Sequence, residues 1–150
     1  MDERIESTMN ELSNAEIWST NLYLSLQVYF EGEQLPILSA WLNAQAQDNM
    51  NKTYQMMHRI YHNEGCVMIR EIKRHVQKWE TPLEALNELL EHERYMSRMV
   101  SMLLILCRNV DMPTYSFVDR LYSGRIYVST AFLELLRILA RESIRRLPYF

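Results

Sequence analysis

The chain predicts an all-α protein, a bundle of four long helices in one domain spanning residues 1–150. Three observations carry this. Apolar residues recur three and four apart in four separate blocks, the period of a helix with one buried face. Only three glycines and four prolines punctuate 150 residues, and the runs between them are rich in Leu, Met, Glu and Arg, good helix formers. No block alternates as a strand would.

The first block covers 7–30, with Leu12, Ala15, Ser19, Leu22, Leu26 and Tyr29 on one face, and "EGEQLP" breaks it through Gly32 and Pro36. The second covers 37–63, with Leu38, Leu42, Met56 and Ile60 at its two ends, and stops at Gly65, a residue suited to the position just past a helix. The third opens on "TPLE", with Thr81 as N-cap, Pro82 at the first helical position and Glu84 three residues after the cap, and runs to about 109. The fourth starts at Pro113 and Thr114 and continues to about 141 through Phe117, Leu121, Val128, Phe132, Leu135 and Leu139.

Connection lengths set the topology. "EGEQLP" and "VDMP" are short, so helices one and two, and three and four, are antiparallel neighbours. The middle connection, "EGCVMIREIKRHVQKWE", can extend to roughly 55 Å at about 3.3 Å per residue. That exceeds the roughly 36–42 Å length of each helix. It can therefore run the length of the bundle and start helix three at the far end, which predicts an up-down-down-up bundle with one long crossover.

Net charge is −3, too small a field to draw the chain onto nucleic acid or an anionic membrane. The two cysteines, Cys66 and Cys107, are too few for a disulfide framework, and a reduced cytoplasmic setting follows by default. The N-terminal "MDERIESTMNELS" lacks an apolar signal core, and the most apolar run, "MVSMLLILC", is too short to span a membrane. The expected partners therefore include no nucleic acid and no membrane.

Polar residues interrupt all four apolar stripes near their midpoints: Glu16 on helix one, Gln45, Asn49 and Lys52 on helix two, Glu93 on helix three, and Gly124-Arg125 on helix four. Buried charge costs several kcal/mol per ion unless it is paired. A layer of this kind is either a metal site or a self-neutralised cluster. Two carboxylates against Lys52 and Arg125 sum to zero, which favours the cluster. No Glu-x-x-His, the paired motif of di-iron bundles, occurs anywhere in the chain.

The segments "NELSNAEIWSTNLYLSLQVYF", "AWLNAQAQDNMNK" and "WETPLEALNELLEHERYMSR" resemble the first, second and third helices of bacterial non-haem ferritins. The resemblance puts Glu16 and Glu93 on two iron-binding glutamates and Tyr23 on a tyrosine beside that centre. Where the family has Gln-Glu-Glu-Met-x-His, this chain has Gln47-Asp48-Asn49-Met50-Asn51-Lys52. Asn49 thus stands for a ligand glutamate, Lys52 for the ligand histidine, and Asp48 for a shortened outer ligand. On helix four the family's Glu-Gln-x-Glu-Glu-Glu is replaced by a stretch from Gly124 through Arg125 and Tyr127 to Ser129.

The resemblance therefore implies a degenerate di-iron site with Glu16 and Glu93 as remnant ligands, no catalytic residues and no resident cofactor, iron being the metal the family handles. It implies an iron-storage subunit without ferroxidase activity, forming a homo-oligomer, either a dimer or a ferritin-type shell, and able to co-assemble with an active ferritin. A remodelled iron site with weak ferroxidase activity and a dimeric interaction module without iron stay open beside it. The tail "RESIRRLPYF" is too short and proline-stopped to supply the family's fifth helix.

Lesser signals have plainer readings. His58 and His62 stand one turn apart and can chelate a divalent metal, but no third ligand accompanies them, and an exposed polar pair is the simpler account. Met50 lies where haem-binding relatives place a ligand, and packing is the simpler account there too. Neither cysteine has a His-Asp arrangement that would activate it.

Overall fold

The computed structural model describes residues 1–73 and 78–124, together with Glu134 and Ile138. Among the described residues four α-helices stand in order: α1 (Glu3–Gly32), α2 (Pro36–His62), α3 (Pro82–Cys107) and α4 (Met112–Tyr122). The far half of the expected fourth helix, and the tail expected to lack a fifth, lie outside the described residues. No described helix is long and apolar enough to cross a membrane.

Local chemistry explains the boundaries. The first helix starts four residues earlier than its apolar stripe because Asp2 caps it, its carboxylate accepting from the backbone N–H groups of Arg4 and Ile5. Thr81 caps α3 as its sequence predicts, accepting from Glu84 N at 3.2 Å. The returning bond of the capping box shifts by one residue, since Glu84 Oε2 accepts from Glu80 N.

Gly65 differs from expectation. The left-handed residue that ends α2 is Glu64 (φ 60°), and Gly65 N closes the turn onto Ile60 O at 2.9 Å. Gly65 is needed for room instead: a Cβ there would meet Ile60 Cγ2 and Glu6 Oε1 at 2.8 Å and Ile60 O at 3.0 Å. Gln34 (φ 59°) and Asn109 (φ 65°) are the left-handed residues after α1 and α3.

Two apolar clusters define the packing. One joins the end of α1 (Leu22, Leu26, Phe30), the start of α2 (Leu38, Leu42) and the start of α3 (Ala85, Leu86, Leu89). The other joins the start of α1 (Ile5, Met9, Leu12), the end of α2 (Met56, Ile60), the end of α3 (Met96, Leu103, Cys107) and α4 (Val118, Tyr122). Helix α3 therefore begins where α1 ends and runs beside it in the opposite sense. The order is up, down, down, up, as the connection lengths predict. On α4 the inward face is Thr114, Val118 and Tyr122. That is one residue round from the expected Phe117–Leu121 stripe, both of which are only half-buried.

The crossover climbs back along α1 on side-chain amides. Asn10 Nδ2 donates to Cys66 O at 2.9 Å and Asn10 Oδ1 accepts from Met68 N at 2.8 Å. One turn on, Asn14 Nδ2 donates to Met68 O at 2.7 Å and Asn14 Oδ1 accepts from Arg70 N at 2.8 Å. Trp18 Nε1 then donates to Lys73 O at 3.0 Å. Four helical residues rise about 6 Å, and two extended residues span about 6.6 Å. An Asn every fourth residue of α1 can thus read every second residue of an extended chain.

Candidate functional site

The gap between the two apolar clusters is the polar layer. Glu16 and Ser19 of α1, Asn49, Lys52 and Thr53 of α2, and His92 and Glu93 of α3 are all buried there, with Glu16 1 % and Glu93 2 % exposed. Helical period dictates the placement. Glu16 lies between Leu12 and Leu22 on α1, Asn49 and Lys52 between Leu42 and Met56 on α2, and Glu93 between Leu89 and Met96 on α3. Each therefore faces inward at the height where α1, α2 and α3 come together.

Glu16 Oε1 accepts a hydrogen bond from the Tyr122 hydroxyl at 3.0 Å. Tyr122, buried at the end of the described part of α4, thus closes the layer from the fourth side. The Lys52 ammonium stands 5.4 Å from the centroid of the Tyr122 ring and pairs with Asp48 Oδ2 at 2.8 Å. Lys52 follows the snorkelling pattern: its stem is buried among the helices and its charge is delivered to half-exposed Asp48 at the rim. A cleft between α2 and α4, lined by Asp48, Asn51, Gln55, Phe117 and Arg120, opens onto that rim. The opposition of Lys52 to Glu16 read from the sequence is thus indirect, passing through Tyr122, and its direct partner is Asp48.

Asn49, 4 % exposed, has no hydrogen-bond acceptor for its Nδ2 among the described residues. On the far side of the layer His92 shares a short hydrogen bond with the Ser19 hydroxyl, and its ring lies 4.8 Å from that of Trp18. Tyr23, 1 % exposed, presents an edge to His92 at 6.5 Å. Gln45 is half-buried. Gly124 is exposed, with nothing within 4 Å of where a Cβ would stand. Arg125 and Tyr127 lie outside the described residues.

Sequence reasoning missed Tyr122 and His92. Tyr122 escaped because the α4 stripe is rotated by one residue, which placed Leu121 inward in its stead. His92 escaped because it immediately precedes the buried glutamate and so lies outside the Glu-x-x-His spacing that marks a di-iron helix. Among the described residues no three His, Cys, Asp or Glu side chains come together as a metal-ion site. Thiol chemistry has no foothold at Cys107, whose thiol is pushed up to about 11 by burial, with Asp111 and then Asp2 adding to the effect.

Known proteins share this architecture. The ferritin-like domain family matches residues 6–134. A bacterial non-heme ferritin of Bacteroides fragilis (strain 638R) is 34 % identical over 119 residues, 79 % of this chain and 75 % of that protein. A bacterial non-heme ferritin of Campylobacter jejuni is 22 % identical over 120 residues, 79 % of this chain and 72 % of that protein. Among solved structures, the open pore ferritin of Archaeoglobus fulgidus superposes with a TM-score of 0.84 at 25 % identity, over 91 % of this chain and 85 % of that one. A humanized archaeal ferritin has the same fold, with a TM-score of 0.85 at 24 % identity over 100 % and 98 %. The fold is thus that of ferritin subunits, and the chain belongs to the bacterial ferritin family.

Proposed function

We propose that this chain is an iron-storage shell subunit whose ferroxidase centre has been closed, so that it stores iron oxidised elsewhere and does not oxidise it. One observation carries the reading: a buried lysine, Lys52, occupies the position that the family's motif gives to a ligand histidine, and it caps the ring whose hydroxyl bonds Glu16. A lysine ammonium has no lone pair with which to bind a metal. Its charge replaces part of what a metal dication would supply to the two buried carboxylates. Asn49 offers one neutral amide oxygen where the motif has a carboxylate.

Glu16 and Glu93, with Asp48 held by Lys52, do not fit a pair of iron ions, which needs about four carboxylates and two histidines. Shell assembly is proposed from the likeness to the open pore ferritin and to the engineered closed form of the same protein, for pores and closure are properties of shells. A shell built with a ferroxidase-competent relative would supply the missing oxidation step.

The test is iron oxidation by the purified protein, followed by oxygen consumption after anaerobic Fe(II) is mixed with air-saturated buffer. The rate is expected to stay at that of buffer alone. A fast phase consuming Fe(II) in proportion to subunits would overturn the reading and favour a remodelled site between Glu16 and Glu93.

A further inference from the structure

His58 and His62 stand apart from the polar layer. Both are exposed on the outward face of α2, which also carries Ala44, Gln47, Asn51 and Tyr54. Their rings are 6.1 Å apart between centroids and nearly perpendicular. Three features distinguish them from an ordinary pair of surface histidines.

The first is register. One helical turn separates them, so the two imidazoles can turn toward one point, the arrangement by which a helix presents two nitrogens to a zinc ion. Tetrahedral bonds of about 2.0–2.1 Å to zinc would bring the ring centroids to about 5 Å. That is a small rotation from the observed spacing for two exposed side chains.

The second is the helix end. His62 is the last residue of α2, where the partial negative charge of the terminal carbonyls favours a bound cation. The third is the neighbouring charge. Arg59, the cation between them in sequence, is turned away: its guanidinium lies 5.5 Å from the Phe117 ring centroid and donates to Thr114 Oγ1 at 3.3 Å. No third His, Cys, Asp or Glu joins the pair among the described residues, so water would complete the coordination.

We propose that His58 and His62 form a surface site for one borderline divalent transition-metal ion of the kind that prefers imidazole, with zinc the natural probe. The site is independent of Glu16, Glu93 and of any storage role. On this face, imidazole rather than carboxylate is what the chain offers a metal, since Asp48 is engaged by Lys52.

Zinc titration of the assembled protein, followed through the histidine ring carbons by NMR, separates this site from any binding at buried carboxylates. His58 and His62 signals are expected to move together and saturate at one zinc per chain, while His92 stays still. In His58→Asn, the His62 signal should need at least about tenfold more zinc, because the second nitrogen no longer acts at high effective concentration. The reciprocal His62→Asn variant should behave alike toward His58. Both positions are exposed, and an unchanged circular dichroism spectrum would confirm that the variants fold. If His62 titrates identically with and without His58, or neither ring moves at millimolar zinc, the chelate is disproved.

Discussion

Lys52 keeps its stem in the core and its ammonium at the rim, between Asp48 and the Tyr122 ring. The Tyr122 ring and its hydroxyl stand between that ammonium and Glu16, and two unit charges about 10 Å apart interact by about 2 kcal/mol at an effective dielectric of about 20. The exposed partnership with Asp48 is worth less than about 1 kcal/mol. The two roles therefore predict different variants. Lys52→Met is expected to lower stability by about 1–2 kcal/mol in urea unfolding, whereas Asp48→Asn should change it by less than about 1 kcal/mol. A neutral or stabilising Lys52→Met would show that the lysine does not serve the buried carboxylates. The sequence made Glu16, Asn49, Lys52 and Glu93 legible as buried polar groups because each interrupts an apolar stripe. It could not reveal how Lys52 is engaged, since a flexible four-carbon stem reaches in several directions from one backbone position. Tyr122 was hidden for another reason: a tyrosine inside an aromatic-rich amphipathic helix carries no mark of which way its hydroxyl faces.

Helix existence, order and direction could be read almost entirely from periodicity and connection length, because each apolar stripe is long and the middle connection is longer than a helix. Helix ends were less legible. The expectation at Gly65 rested on the preference for glycine in a left-handed cap, yet the chain places Glu64 there and uses Gly65 for close packing. Substitutions in this dipeptide should act in opposite senses. Glu64→Gly removes a left-handed residue bearing a Cβ and is expected to stabilise by about 1 kcal/mol. Gly65→Ala drives a methyl against Ile60 and should destabilise by about 1–3 kcal/mol. Thermal unfolding of the two variants checks both signs, and a stable Gly65→Ala would show that close packing does not require glycine at this position. The α4 stripe erred by one residue because Phe117, Val118, Leu121 and Tyr122 stand as two adjacent pairs, and helical spacing alone fits either member of each pair to the core.

At the scale of the whole molecule, the two apolar clusters each draw on at least three helices, and a set of large apolar residues stays outside both. Leu24, Val28, Tyr54 and Tyr61 on α1 and α2, and Met102 and Ile105 on α3, are all exposed in the single chain. Surfaces of this kind mark interaction sites. Sedimentation velocity of the purified protein is expected to give a large closed shell. A stable dimer would remove the storage reading while leaving the fold, the polar layer and the histidine pair untouched. Nothing in periodicity or composition specifies an assembly, because it depends on which exposed residues form one continuous patch.

The amide ladder between α1 and the crossover also governs how the backbone meets solvent. Residues 66–73 belong to no regular element, and a segment so exposed would ordinarily exchange its amide hydrogens with water within seconds to minutes. Yet the N–H groups of Cys66, Met68 and Arg70 are taken by Glu6, Asn10 and Asn14 of α1. Deuterium uptake resolved by residue should therefore slow at every second position along this stretch, a period-two protection normally diagnostic of a β-sheet edge. Asn10→Ala should abolish it at Met68, and Asn14→Ala at Arg70, while leaving the helical amides on either side protected. A helix, in this molecule, does the work of a neighbouring strand.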